Sequence, residues 1–241
     1  MNSKIRSSSI HRLSASGFSL VEMAIVLIVF ALLAGGMMIS LGTQQDIQRT
    51  NEVRRQLADI REALLGYTIA NGRLPPPADP TKANTDPTAG LLDEGRTSGV
   101  IPWRTLGLPE TDPWGQRFTY RVRLEFSDAI PLNTTPPCVL SPAPTQSSFA
   151  LCSSGNIIVS DGAVNIATGV PAIVVSHGKN GLGGYRTDGT QLPGSAGDEL
   201  ENANGDFNFV SRTHSSTYDD EVTWIPLFNL MSRMVAAGRL P

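Results

Sequence analysis

FSLVEMAIVLIVFALLAGGMMISL, residues 18–41, holds one charged side chain, Glu22, in 24 positions. As an α-helix rising 1.5 Å per residue it reaches about 36 Å, more than a hydrocarbon core of about 30 Å, so it reads as a membrane segment. The residues before it carry Lys4, Arg6 and Arg12 and no acid. A cleaved secretory signal shares that outline, but its apolar core is shorter and an A-x-A site would follow it, which is missing here. Arg49, Arg54 and Arg55 lie beyond the segment, so charge counting leaves the orientation near a tie. The short leader and the large domain after residue 70 place the N-terminus in the cytoplasm. Glu22 admits two readings: a carboxylate that snorkels to the headgroups near the positive helix terminus, or an ionisable group kept for a specific partner.

Beyond the apolar run, Val53, Leu57, Ile60, Leu64 and Tyr67 recur at spacings of 4, 3, 4 and 3, with Arg54, Arg55, Asp59, Arg61 and Glu62 between them. This is an amphipathic helix with one apolar stripe, ended by Asn71-Gly72 and Pro75-Pro76-Pro77. Residues 18–70 are therefore expected to form one helix of about 80 Å, its first half in lipid and its second half carrying a domain. Phe118, Tyr120, Val122, Leu124 and Phe126 alternate with polar residues, the period of a half-buried strand. Shorter strands are expected at 156–160, 172–176, 207–211 and 221–225. Leu227, Leu230, Met231, Met234 and Val235 predict a short C-terminal helix ended by Gly238. The expectation is an α+β fold, a long N-terminal helix on a small antiparallel sheet.

Gly17-Phe18-Ser19-Leu20-Val21-Glu22, at the border of a basic leader and an apolar helix, resembles the processing site of type IV pilins and type II secretion pseudopilins. The resemblance implies a pilin-like fold, cleavage after Gly17 by a prepilin peptidase, and methylation of the new terminus Phe18. It also implies a role for Glu22 in assembly, paired with the terminal amine of a neighbouring subunit. The domain boundaries that follow are 1–17 leader, 18–41 transmembrane and assembly half of the helix, 42–70 amphipathic half, and 71–241 periplasmic globular domain. The implied partners are the peptidase, other pilin or pseudopilin subunits, an inner-membrane assembly platform, and membrane lipid before assembly. The implied location is the inner membrane as a single-pass protein, then a pseudopilus or pilus. Major subunits of the family carry a proline where this chain has Ile39, which tilts the reading toward a minor subunit. Thr111-Asp112-Pro113-Trp114-Gly115 resembles a turn of the type II secretion pseudopilins and favours that machine. A minor type IV pilin at a pilus tip is the alternative.

The net charge is −3, and −6 without the leader, which disfavours nucleic acid as a partner. Cys138 and Cys152 lie in a Pro- and Ser-rich stretch. In an exported domain they form one disulfide, worth about 3 kcal/mol in the chain-entropy model, and in the cytosol they are two thiols. No cofactor is required by any motif. The glycine-rich segment 176–184 lacks the Gly-Lys-Ser/Thr of a phosphate loop. It is similar to the segment that holds a structural calcium ion in major pseudopilins, and eight acids lie between Lys179 and Glu221. A solvated acidic loop and a calcium site both fit, with Asp206, Asp219 and Asp220 as first candidates for ligands. His177 and His214 read as loop residues, and no nucleophile or metal motif points to catalysis, so the chain reads as non-enzymatic. A hydrolase using Ser176 or His177 is the disfavoured alternative.

Overall fold

Val53, Leu57, Ile60 and Leu64 are buried on one face of a helix, as their spacing requires, and form one wall of the larger core. The computed structural model describes residues 17, 19–129 and 146–241, with the side chains of 34–41 and 43 excepted. The chain divides into two compact units, Met1–Ile47 and Gln48–Pro241. Helix α1, Leu20–Asn71, crosses that border. Ser19 caps its start: the Ser19 hydroxyl accepts from the Val21 N–H at 3.3 Å, and the Ser19 carbonyl accepts from Met23 at 3.1 Å.

The expected transmembrane first half of this helix is overturned, and with it the single-pass inner-membrane location. Among the described residues no helix is long and apolar enough to cross a membrane. From Gln44 onward α1 carries Asp46, Arg49, Glu52, Arg54, Arg55, Asp59, Arg61 and Glu62, and its apolar stripe there faces protein. What stands of the expectation is an α+β arrangement with a sheet.

In the second unit α1 ends at Gly72, whose φ of +75° is the left-handed conformation that lets its N–H reach the Thr68 carbonyl at 2.7 Å. The elements that follow are β1 (Ser98–Val100), α2 (Trp103–Leu106), β2 (Thr119–Val122), α3 (Leu124–Ser127), β3 (Ile157–Ser160), β4 (Asn165–Val170), β5 (Ala172–Ser176), α4 (Gly197–Ala203), β6 (Asn208–Val210), β7 (Glu221–Ile225) and α5 (Leu227–Ala236). They build two sheets instead of one. The first, in order β1-β2-β5-β7, is antiparallel throughout. The second, β4-β3-β6, pairs β3 with β6 in parallel.

Strand alternation assigns the two faces of the first sheet. Tyr120, Val122, Ala172, Val174 and Ile225 join the α1 stripe with Leu230, Met231 and Met234 of α5 in the larger core. Ile173, Val175, Val222 and Trp224 pack on the other side with Ile157, Val159, Val170 and Phe209 of the second sheet. β5 is thus covered on both faces, and all five of its residues are buried. The alternation over 118–126 yields a strand only to Val122. Beyond Arg123 the chain turns into α3, which keeps Phe126 in the core against Phe149 at 4.9 Å between ring centres.

Candidate functional site

The acids between Lys179 and Glu221 do not act as one solvated loop. Glu199, Asp219 and Asp220 bring one carboxylate oxygen each to within 4.8 Å of one another. α4 carries Glu199 inward, and Asp219 and Asp220 lie at the entry to β7. The glycine-rich segment after β5 closes over them. Gly178, at φ +60°, lies against Asp219, where any Cβ would collide with the Asp219 carbonyl and carboxyl groups. Asn180 then donates from its backbone N–H to Asp219 Oδ2 at 2.9 Å and from its side chain to Glu199 Oε1 at 2.8 Å. Asn202 of α4 donates to Asp220 Oδ2 at 2.8 Å.

These bonds leave Asp219 Oδ1 and Asp220 Oδ1 buried with no hydrogen-bond partner. Burial, reinforced by the like charges of Glu199 and Asp219, pushes the Asp220 carboxyl up to about 8. Asp220 therefore holds its proton at neutral pH unless a cation is present. Buried, unpartnered carboxylate oxygens in a trio of this size fit a calcium ion, which takes six to eight oxygen ligands from carboxylates, carbonyls and water. Glu199, Asp219 and Asp220 would hold it, and its charge would offset the repulsion among them. Of the expected set, Asp219 and Asp220 are brought together and Asp206 lies outside the trio, accepting from the Asn208 N–H at 2.7 Å while its own N–H donates to Asn204 Oδ1 at 2.9 Å. Glu199 takes its place, a residue that periodicity could not single out among the eight acids.

His177 is buried instead of lying in an open loop. Its Nε2 pairs with the Thr119 hydroxyl at 2.8 Å, and its Nδ1 lies 3.8 Å from Asp220 Oδ1. Burial pulls its pKa down to about 4, so it is neutral at physiological pH. The Ser176 hydroxyl donates to Asp112 Oδ2 at 2.7 Å. Asp112 Oδ1 in turn accepts from the backbone of Trp114 and Gln116, both at 3.0 Å, which shapes the Asp-Pro-Trp-Gly turn. His214 meets Glu221 at 3.0 Å. Cys152 is disulfide-bonded, and Cys138 lies outside the described residues.

In the first unit Gly17 is exposed and Phe18 lies outside the described residues. Glu22 is exposed on α1 at the third helical position after Ser19. Around it the side chains of Leu20, Val26, Leu27, Phe30 and Leu32 are exposed. No family model, curated protein or solved structure matches the chain. The family reading therefore stands on Gly17–Glu22 and the segments that resemble pseudopilins.

Proposed function

We propose that the chain is a structural subunit of a pseudopilin-type filament, cut after Gly17 by a prepilin peptidase, methylated at Phe18, and assembled with other subunits through residues 20–33. The observation that carries this reading is the exposed apolar helix directly after the processing motif, with Leu20 91% and Phe30 71% exposed. Contiguous apolar surface of that kind marks an interaction site. Copies of the same helix cover it in a filament, and Glu22 then meets the α-amino group that cleavage creates on a neighbouring subunit. A type II secretion pseudopilus is favoured by the Asp112–Gly115 turn and the acidic site beside the glycine-rich segment. A minor type IV pilin at a pilus tip is the second reading, favoured by Ile39 in place of proline. In either machine Glu199, Asp219 and Asp220 hold a structural calcium ion, and the chain needs no catalytic group.

The test is the intact mass and N-terminal sequence of the chain expressed with and without a prepilin peptidase. The expected product begins at methylated Phe18 only when the peptidase is present. A start at Met1 under both conditions overturns the reading. With processing established, Glu22→Ala is expected to abolish incorporation into filaments while leaving cleavage intact.

A further inference from the structure

Two arginines are buried in the second unit, and their surroundings differ in kind. Arg117 is 0% exposed and every N–H of its guanidinium is used: Nε and Nη2 reach Glu110 at 3.0 and 2.7 Å, Nη1 reaches the Pro80 and Lys82 carbonyls, and Nη2 also reaches Thr187. Arg121, 8% exposed, makes one hydrogen bond, from Nη1 to the Gly205 carbonyl. Its Nε is buried without a partner, its guanidinium lies 4.1 Å from the centre of the Phe207 ring, and no carboxylate pairs with it among the described residues. Burial lowers its pKa, with the charge of Asp206 acting the other way and that of Arg123 adding to the effect.

Arg121 lines a recess of about 320 Å³ that is walled by residues of β1 and β2 and by Phe209 of β6. Ser98, its partner across β1 and β2, lines the same recess, as do Thr119, Gln191 and Asn204. Arg96 lines it too, held by Asp79 and Asp93 at 3.4 and 2.9 Å. No aspartate or glutamate is among the lining residues, although the chain as a whole is acidic. The volume lies at the small end of ligand sites, and hydroxyl and amide groups suit a polar body beside the charge. A guanidinium with unused N–H groups matches a planar carboxylate through two parallel hydrogen bonds.

We infer that this recess binds a small, hydroxyl- or amide-rich organic carboxylate, with Arg121 as the residue that takes the carboxylate. A uronic acid and the C-terminus of a short peptide share that chemistry. The inference is independent of the filament reading, because it uses residues of the second unit alone.

The experiment is titration of the ¹⁵N-labelled full chain with galacturonate, glycylglycine, inorganic phosphate and neutral galactose, followed by NMR. The expected result is saturable shifts confined to residues 98–99, 119–121 and 203–205 and to the Arg121 Nε–H, from galacturonate or glycylglycine and not from galactose. Which of the two saturates first names the source of the carboxylate. Arg121→Met is expected to weaken that binding at least about tenfold, from the loss of charge-assisted hydrogen bonds. Arg121→Lys keeps the charge without the fork and is expected to fall between the two. Shifts that fail to saturate or lie elsewhere overturn the inference, as does binding unchanged in Arg121→Lys and Arg121→Met. Equal saturation by phosphate overturns the assignment to a carboxylate. If Arg121→Met fails to fold, the wild-type shift map and Arg121→Lys still decide.

Discussion

The acidic trio and the arginine recess share one short helix, α4. Glu199 belongs to the first, Asn202 donates to Asp220 and also lines the second, and Asn204 at the helix end lines the recess. Each holds buried charge with bonding capacity left over, oxygens in one and nitrogen in the other. Yet Arg121 forms no ion pair with any of the three acids, whereas Arg117 with Glu110 and Arg212 with Asp198 close directly at 2.7 and 2.9 Å. Arg121 and the three acids thus stay unpaired although α4 contributes to both places. That arrangement is costly for a fold alone, and it makes sense where each charge has a ligand of its own.

The largest effect that would sharpen this contrast is between the two arginines. Arg117→Met leaves Glu110 and three carbonyls without their donor, and should cost about 3–5 kcal/mol in urea unfolding. Arg121→Met removes a buried cation that has one hydrogen bond and no ion pair, and should change stability by less than about 1 kcal/mol. Similar losses for both would break the distinction between a structural and a ligand-binding arginine.

Calcium comes next. At a concentration about 100 times its dissociation constant, calcium should stabilise the chain by about 2.7 kcal/mol over the chelated form, read as a rise of roughly 5–10 °C in Tm. Asp220→Asn should abolish that rise and Asp206→Asn should leave it, since Asp206 is outside the trio.

The pH dependence in chelator has a defined sign. The Asp220 pKa, raised to about 8 from an unfolded value near 3.9, gives a contribution that is full below about 4 and is lost as pH climbs to 8. His177 is the reverse: its pKa, lowered to about 4, gives a contribution present above about 6.5 and lost as pH falls toward 4. The two oppose each other between about pH 4 and 6.5. From 6.5 to 8 only Asp220 acts of the two, so denaturation midpoints should fall with rising pH there. Asp220→Asn should flatten that slope. Calcium should reverse it, because the ion needs the ionised carboxylate.

The smallest effect is at the surface. Arg54 meets Glu221 at 2.7 Å with its own side chain largely exposed, so Arg54→Ala should cost no more than about 1 kcal/mol and less at high salt.

These sites were unevenly legible in the sequence. The run Ala172–Ser176 and the stripe from Val53 announce themselves because burial follows a period there. β4 does not: its burial pattern is mostly open, and Gly169 interrupts it. Arg121 alternates with Tyr120 and Val122 and so reads as a solvent-facing residue, a reading that fails because the second sheet and the end of α4 cover that face. Glu199 was hidden for a related reason, since a seven-residue helix has too few turns to show which side is inward.

The parallel pairing of β3 with β6 joins Ile158 to Asn208 across the intervening β4, β5 and α4, and α1 shares its core with α5 and Leu240 at the chain's far end. Arg239 even donates to the Ile69 carbonyl at 2.8 Å. Such contacts close large loops before they return any stabilisation, so folding of this unit should be slow and nearly all-or-none. A nascent chain that lacks α5 and Leu240 has a partly uncovered α1 stripe. Until α5 has been made, that stripe is a surface for chaperones to hold, and a product truncated before α5 should be degraded instead of accumulating.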